Sequence, residues 1–128
     1  MEPKLISGSC HSDQRGILLY NNDFDASLIR RMYIIENASL QFIRGWQGHR
    51  LEQRWFSAAS GKFKIQLIKI DNWEKPSVDL EVFSYLIDSD KLDVLHIPKG
   101  YVSSIQSLEF NSKLLVMADY LLGEVQDE

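Results

Sequence analysis

The sequence has very little cysteine and proline: one cysteine, Cys10, and three prolines among 128 residues. A lone cysteine excludes an internal disulfide, which favours a reducing compartment such as the cytoplasm. No segment approaches the roughly 18 consecutive apolar residues that a membrane-spanning helix needs. An apolar run of signal-peptide length is also missing from the first residues, which read MEPKLISGSCHSD. We therefore expect a cytoplasmic protein that does not engage a membrane.

An excess of positive charge is missing as well. The 14 basic residues stand against 18 acidic ones, for a net charge of -4, and such a chain has no general affinity for nucleic-acid backbones. All the arginines nevertheless lie in the first 54 residues: Arg15, Arg30, Arg31, Arg44, Arg50 and Arg54. Guanidinium groups bind phosphate or carboxylate through paired N–H groups, so this half could hold a small anionic ligand. Solvated charges along strand edges explain the same distribution.

Linkers, repeats and low-complexity segments are absent from the sequence. A chain of 128 residues with 45% hydrophobic content is close to the commonest size of one compact domain. We therefore predict that residues 1–128 form a single domain.

The hydrophobic pattern is that of short β-strands. Along residues 61–70, Phe63, Ile65 and Leu67 alternate with polar side chains, which is the two-residue period of a half-buried strand. Other β-rich runs cover residues 16–20, 28–36, 40–43, 54–58, 80–86, 92–97, 101–105 and 114–118. Turn-forming residues separate these runs, and many short strands at close spacing predict a sandwich, a jelly roll or a barrel.

Helical structure has little support in this sequence. Residues 24–31 could begin as a turn of helix, and residues 120–125 could end the chain with one. Neither segment is long enough to organise a hydrophobic core. The expected fold class is therefore all-β.

One short stretch, residues 44–49, carries the candidate chemistry and reads RGWQGH. In a strand, side chains two residues apart point the same way, so Gln47 and His49 would face one side and Gly48 the other. Inside a jelly roll, both polar groups would enter the cavity. An imidazole, with an ordinary pKa near 6.5, can act as a base. The amide of Gln47 cannot titrate, but it can hydrogen-bond a ketone oxygen or an oxyanion.

This stretch, followed by Leu51-Glu52-Gln53 and Gly61, resembles the first motif of the cupins. It is most similar to the dTDP-sugar 3,4-ketoisomerases, whose pattern there is Arg-Gly-x-His-x-His before a Glu-Gln pair. The similarity covers the chain from about Asp13 to Asp119. It includes three further motifs: Asp13-x-Arg15-Gly16, Arg31-Met32-Tyr33 and Pro98-x-Gly100. The chain also resembles the related dTDP-4-dehydrorhamnose 3,5-epimerases. The resemblance implies a cupin-type double-stranded β-helix, or jelly roll. It also implies an isomerase or epimerase of a nucleotide-linked 4-keto-6-deoxy sugar.

Metal-binding cupins take their ligands from His-x-His, a following acidic residue and a later histidine. In this chain the corresponding positions hold Gln47, His49, Gln53 and Ser103. Divalent transition metals prefer imidazole and carboxylate donors to amides and hydroxyls. We therefore expect no metal and no other cofactor.

The resemblance also implies roles for individual residues. His49 would be the base, Tyr33 the acid or proton shuttle, and Gln47 the group that polarises the carbonyl. The substrate-binding set would be Arg15, Arg44, Trp46, Gln53 and Tyr101. Other interpretations stay open: Tyr33 as a half-buried strand aromatic, Arg44 as a turn-fixing residue, and Trp46 and Tyr101 as core-filling aromatics.

Two other function classes compete with an enzyme. Gln47, which cannot titrate, favours a non-catalytic cupin that binds a sugar nucleotide or a glycan. A purely structural β-domain that serves as a dimerisation unit is the third possibility. Homodimer formation is expected through apolar edge strands such as residues 114–117. His96 is expected to be a strand residue with a satisfied ring rather than a ligand.

Overall fold

The computed structural model describes residues 1–124, and within that range it is built from strands and turns without a helix. The strands are β1 (Lys4–Ile6), β2 (Ser9–Asp13), β3 (Gly16–Tyr20), β4 (Arg31–Ile35), β5 (Ile43–His49), β6 (Arg54–Ser60), β7 (Lys62–Lys69), β8 (Phe83–Asp88), β9 (Val94–Ile97), β10 (Tyr101–Ser107) and β11 (Lys113–Ala118). Residues 1–124 therefore include no membrane-spanning helix. The all-β prediction is confirmed.

The strands form two principal antiparallel sheets. One has five strands in the order β1-β9-β6-β11-β4, and the other has four in the order β5-β10-β7-β8. The hairpin of β2 and β3 makes a separate two-stranded sheet. The two principal sheets enclose the main apolar core, to which each contributes fully buried side chains: Leu95, Leu114 and Val116 from one, and Phe63, Ile65 and Leu67 from the other. This arrangement is the predicted jelly roll.

The two-residue period decides which side chains enter the space between the sheets. Along β7, Phe63, Ile65 and Leu67 have no exposed surface, while the residues between them are partly exposed. On the neighbouring strand β10, Tyr101, Ser103 and Ile105 are buried in register with β7. Side chains opposite each other in a pair share a face of the sheet. The inner face of β10 therefore identifies the inner face of β5, its other neighbour.

Most strand predictions are confirmed, with ends shifted by a few residues. The strand predicted at residues 40–43 is wrong, because β5 begins at Ile43 and runs through the RGWQGH motif to His49, where it pairs with β10. The strands β1 and β2 were not predicted, because their side chains are mostly exposed and lack an apolar period.

The turn of helix predicted at residues 24–31 is also wrong. Asn21 Oδ1 accepts hydrogen bonds from the backbone N–H groups of Asp23 and Phe24. Asp25 Oδ1 accepts one from the N–H of Ser27. These side chains take the N–H groups that a helix would use, so the segment forms turns. Of the predicted 120–125 helix, the described residues form a turn from Leu121 to Glu124, and residue 125 lies outside the described range.

The prediction that residues 114–117 form an exposed edge is wrong. These residues belong to β11, which lies between β6 and β4. Their apolar side chains reflect a central, buried strand rather than an edge. The edges of the five-stranded sheet are β1 and β4, and those of the four-stranded sheet are β5 and β8.

The β6–β7 turn needs glycine at position 61. Gly61 has a φ of +75°, and an added Cβ would overlap Ser112 Oγ, which accepts a hydrogen bond from the Lys62 N–H at 3.0 Å. We expect Gly61→Ala to lower the free energy of unfolding by about 2–4 kcal/mol, from backbone strain plus the displaced serine. Chemical denaturation of the wild type and the variant measures this loss of stability.

Gly100→Ala is the matched control for this prediction. Gly100 has a φ of +92°, but nothing lies within 4 Å of an added Cβ. This variant should therefore show the backbone strain without the clash. Equal losses of stability in the two variants would contradict the role given to Ser112.

Candidate active site

The edge strand β5 carries Gln47 and His49 on its inner face. His49 is paired with Tyr101 and Gln47 with Ser103 across the β5–β10 ladder. Tyr101 and Ser103 are buried, so their partners on β5 face the same interior. Gln47 remains exposed at this edge, whereas His49 is largely covered. The shared face predicted for the two side chains is thus the inner one.

The glycines of the motif allow other groups to pack tightly against β5. An added Cβ at Gly48 would lie 2.8 Å from the Trp73 ring and 3.1 Å from Val102 Cγ1, and one at Gly45 would lie 2.7 Å from Ser104 Cβ. A side chain at either position would force the strand away from β10 or from Trp73. The small residues therefore hold the backbone that aims His49.

A single guanidinium joins the imidazole on one sheet to a phenol on the other. Arg54, at the start of β6, places Nη2 at 3.2 Å from His49 Nδ1. Its Nη1 donates a hydrogen bond to the hydroxyl oxygen of Tyr33 on β4. Two predicted catalytic residues that are 16 positions apart in the sequence thus meet through one arginine.

Glu52 balances part of the positive charge around this contact. Its carboxylate forms an ion pair with Arg54, lies 3.5 Å from Arg31 Nη2 and lies 3.9 Å from His49 Nδ1. The Glu52 and Arg54 side chains are only 5% and 8% exposed, and charges buried this deeply need partners. We call Arg31, Tyr33, His49, Glu52 and Arg54 the inner cluster. It holds two guanidinium groups and one carboxylate, which leaves one excess positive charge when the imidazole is neutral.

The arginines of the site retain capacity for an anionic ligand. The guanidinium carbons of Arg31 and Arg54 lie 5.1 Å and 5.8 Å from the centre of the Tyr33 ring, within the range of cation–π attraction. Among the described residues, the buried Nε atoms of Arg31, Arg44 and Arg54 have no hydrogen-bond partner. Buried donors are normally satisfied, so these three N–H groups are available to a bound ligand or to water.

Gln53 belongs to a second polar network beside the inner cluster. Its backbone N–H and side-chain Nε2 both donate to the carboxylate of Asp119, at 2.8 Å and 3.1 Å. Its Oε1 lies 2.7 Å from His96 Nε2, and the His96 ring stacks on Trp55 with 4.9 Å between centroids. The prediction that His96 is a strand residue with a satisfied ring is confirmed.

His96 should make the stability depend on pH. Burial lowers the pKa of His96 below its ordinary value, Asp119 opposes this effect, and Lys4 adds to it. The unfolded chain therefore binds a proton at a higher pH than the folded chain does. We expect the melting temperature to fall as the pH drops from about 8 to about 5.

The pH series should be repeated with His96→Gln, which keeps a side chain able to hydrogen-bond but cannot titrate. The slope of melting temperature against pH should become smaller in this variant. An unchanged slope would assign the pH dependence to other groups.

The remaining predicted residues lie in different surroundings. Arg15 is largely exposed on the β2–β3 hairpin, where it donates to Asp13 Oδ2 at 2.8 Å and lowers the pKa of that carboxyl. Arg44 is paired with Ile105 on the ladder to β10. Trp46 is half exposed on β5. Tyr101 lies in the apolar core and donates its hydroxyl to the Met1 carbonyl oxygen at 3.3 Å, and burial raises its pKa.

A groove of about 600 Å³ is lined in part by Arg50, Leu51 and Gln53, which are close neighbours of His49 and Glu52 in the sequence. It borders the motif, because the Gly100 N–H donates to the His49 carbonyl oxygen at 2.8 Å. Its charged lining consists of Arg50, Lys69, Lys99 and Asp119. The excess of basic groups suits an anionic ligand.

The residues at the cupin metal positions do not fit a divalent transition metal. Gln53 is committed to Asp119 and His96. His49 turns Nδ1 toward a guanidinium, and a cation beside a ligand atom disfavours metal binding. Residues 1–124 contain no group of three or more His, Cys, Asp or Glu side chains that could hold a metal ion. These contacts leave a poor site for a divalent transition metal.

The sequence reasoning missed Arg54 and Glu52 as members of the site. A signal was available, because Arg54 opens the run Arg54–Ala58, which was predicted to be a strand. A charged residue in such a run is an anomaly when the strand is buried, as all five of these residues are. Glu52, two positions earlier, is the compensating charge.

No family model and no curated protein matches the chain, whereas solved structures do. A 3,4-ketoisomerase from Helicobacter canadensis superposes with a TM-score of 0.72 at 24% identity, over 97% of this chain and 89% of its own. A histidine-to-asparagine variant of QdtA, the 3,4-ketoisomerase of Thermoanaerobacterium thermosaccharolyticum, in complex with TDP-4-keto-6-deoxyglucose, has a TM-score of 0.72 at 21% identity, over 94% and 81%.

A third structure, the dTDP-4-dehydrorhamnose 3,5-epimerase of Bacillus anthracis with TDP and pyrophosphate bound, has a TM-score of 0.73 at 14% identity. It matches over 98% of this chain and 77% of its own. Together with the two antiparallel sheets described above, these likenesses show that the chain has the cupin jelly-roll fold of the sugar-nucleotide ketoisomerases and epimerases.

Proposed function

We propose that this protein is a metal-independent isomerase or epimerase of a TDP-linked 4-keto-6-deoxy sugar. The observation that carries the proposal is the meeting of His49 and Tyr33 at one guanidinium between the sheets. Both side chains can move protons, and Gln47 lies on the same inner face as His49. We also propose that residues 1–128 form one cupin domain and that the protein acts in the cytoplasm. The single cysteine favours such a reducing compartment.

The reaction class follows from what this group of side chains can do. Moving or inverting a centre beside a ketone requires removal of a carbon-bound proton, an enediolate-like anion, and return of a proton. His49 and Tyr33 supply proton-transfer and hydrogen-bonding groups, and the amide of Gln47 can donate to the carbonyl oxygen. The excess positive charge of the inner cluster would stabilise the anion in a site where water is largely excluded.

The arginines and the basic groove support a diphosphate-bearing substrate. Arg44 offers a buried, unsatisfied Nε among the described residues, and the groove beside His49 carries three cationic side chains. The Thermoanaerobacterium and Bacillus proteins were solved with TDP-sugar and with TDP. The proposed binding set also includes Arg15, Trp46, Gln53 and Tyr101. The side chains of Gln53 and Tyr101 are held in place by other parts of the chain.

We also propose that the protein works as a homodimer. The hairpin and the edge strand β4 expose large apolar side chains, with Ile17 73% and Met32 71% exposed. Leu18 and Ile34 are exposed beside them. Large apolar side chains exposed in this way favour coverage by a partner, and an edge strand favours pairing with a second copy. Analytical ultracentrifugation of the wild type and of Met32→Lys tests this; a wild-type monomer at micromolar concentration would contradict it.

The experiment for the main proposal is solvent exchange. TDP-4-keto-6-deoxyglucose incubated with the protein in heavy water should gain deuterium beside the carbonyl, followed by NMR and mass spectrometry. A panel of TDP-4-keto-6-deoxy sugars that shows neither label nor new product would contradict an isomerase or epimerase. A panel that also gives no thermal shift would favour the structural domain instead.

The second candidate function is a non-catalytic cupin that binds the same class of ligand. It is favoured by Gln47, which occupies a histidine position of the ketoisomerase motif and lies exposed at the sheet edge. Gln47→His separates the two functions. Exchange that appears only in this variant would mean that the wild type binds without turnover, whereas exchange in the wild type would contradict the binding module.

A further inference from the structure

Arg54 is held rigidly beside His49. Its guanidinium forms an ion pair with Glu52, donates to Tyr33 and places Nη2 at 3.2 Å from His49 Nδ1. The Arg54 side chain is only 8% exposed, so water does not compete effectively for these contacts. The contact with Nδ1 is therefore part of the fixed structure of the site.

The chemistry of arginine determines the direction of that hydrogen bond. A guanidinium has five N–H donors, no acceptor, and stays protonated in proteins. Nδ1 must therefore accept, which leaves the single proton of a neutral imidazole on Nε2. Glu52 Oε1 does not reverse this assignment, because its distance of 3.9 Å from Nδ1 is too long for a hydrogen bond.

We propose that Arg54 is a positioning residue that holds His49 in the tautomer protonated on Nε2, so that His49 acts as a hydrogen-bond donor to the substrate oxygen. The role toward substrate rests on the proposed function; the tautomer does not. The proposal differs from the base role that the motif predicts for His49, because a nitrogen that already carries a proton cannot take another from carbon while the ring stays neutral.

Tyr33 is then the residue of the inner cluster that removes the carbon-bound proton. Its oxygen accepts a hydrogen bond from the same guanidinium. In the ionised form it would take the proton from the carbon beside the ketone. The electron pair left behind forms the enediolate, whose oxygen accepts from His49 Nε2–H. For a ketoisomerase, the adjacent hydroxyl proton moves between the two enediolate oxygens, and Tyr33 returns its proton to the neighbouring carbon.

The tautomer can be read directly by NMR of the full chain labelled with ¹⁵N-histidine. The chain has three histidines, His11, His49 and His96, and the His49 signals are those lost in His49→Asn. At a pH where the ring is neutral, we expect a protonated Nε2 and an unprotonated Nδ1. A proton on Nδ1, or an even mixture of tautomers, would overturn the proposal.

Two variants test whether Arg54 is the cause. Arg54→Met removes the donor and should shift His49 toward a mixture of tautomers, while Arg54→Lys keeps a cationic donor and should restore the Nε2–H form in part. Arg31→Met is the matched control, because it removes an equal charge that contacts Glu52 and Tyr33, and it should leave the tautomer unchanged. An unchanged tautomer in Arg54→Met, or an equal shift in Arg31→Met, would contradict a specific role for Arg54.

If Arg54→Met does not fold, the wild-type spectrum still tests the proposal, because it shows the tautomer of His49. The measurement also needs no substrate, so the two proposals fail separately. The expected tautomer without deuterium exchange would contradict the proposed function alone. Exchange with the opposite tautomer would contradict the role of Arg54 alone and would return His49 to the role of base.

Discussion

Replacing His49 by asparagine is expected to lower the rate of deuterium exchange beside the sugar carbonyl by about 10³-fold, within the range for loss of a proton-transfer or oxyanion-binding group. Both roles considered for His49 require an imidazole on the inner face of β5, opposite Tyr101. The asparagine side chain is shorter and cannot titrate. The rate should be measured in single-turnover conditions, where product release does not mask the chemical step.

His11→Asn is the matched control for this experiment. His11 is an exposed histidine on the β2–β3 hairpin and contacts Asp13. Its replacement should leave the exchange rate within about twofold, because surface substitutions have small effects. Comparable losses in the two variants would mean that His49 acts through general stability rather than through the chemistry.

Glu52→Gln is expected to cause the largest loss of stability among the isosteric substitutions of the site, about 3–5 kcal/mol in the free energy of unfolding. Its carboxylate is 5% exposed and lies against the guanidinium groups of Arg31 and Arg54. Glutamine has nearly the same shape but no charge, so the buried Arg54 and the partly exposed Arg31 would lose their counterion. Urea denaturation of the wild type and the variant measures the difference.

Glu81→Gln provides the comparison for the same chemical change at the surface. Glu81 is exposed and follows the last turn before β8. We expect a change within about 0.5 kcal/mol there, as for most surface substitutions. A Glu52→Gln variant as stable as the wild type would show that the inner cluster tolerates its full positive charge, and would contradict the role given to Glu52 as its counterion.

The strands could be predicted where burial imposes a period. The alternation of Phe63, Ile65 and Leu67 is a direct consequence of β7 having one face in the core. The exposed strands β1 and β2 left no such pattern. The segment before β4 has hydrophobic residues that suggest a helix, but the side chains of Asn21 and Asp25 determine its turns.

The candidate site could likewise be predicted only in part. The pattern Gln47-Gly48-His49 was enough to predict that the two polar side chains share a face, because the period of a strand is a local property. The meeting of Arg54 with His49 and Tyr33 was not predictable, because it depends on how β5 in one sheet faces β4 and β6 in the other. Gln53 lies in the motif and was predicted to bind substrate, but its side chain is hydrogen-bonded to Asp119 and His96.

The amino-acid sequence alone determined the all-β class, the two-residue period of the core strands and the face shared by Gln47 and His49, because each follows from backbone geometry and local burial. Only the tertiary structure decided which charges surround His49. Glu52 and Arg54 lie three and five residues after His49, whereas Arg31 and Tyr33 lie on β4, far away in the sequence. Their placement depends on how the two sheets pack, which no local pattern specifies.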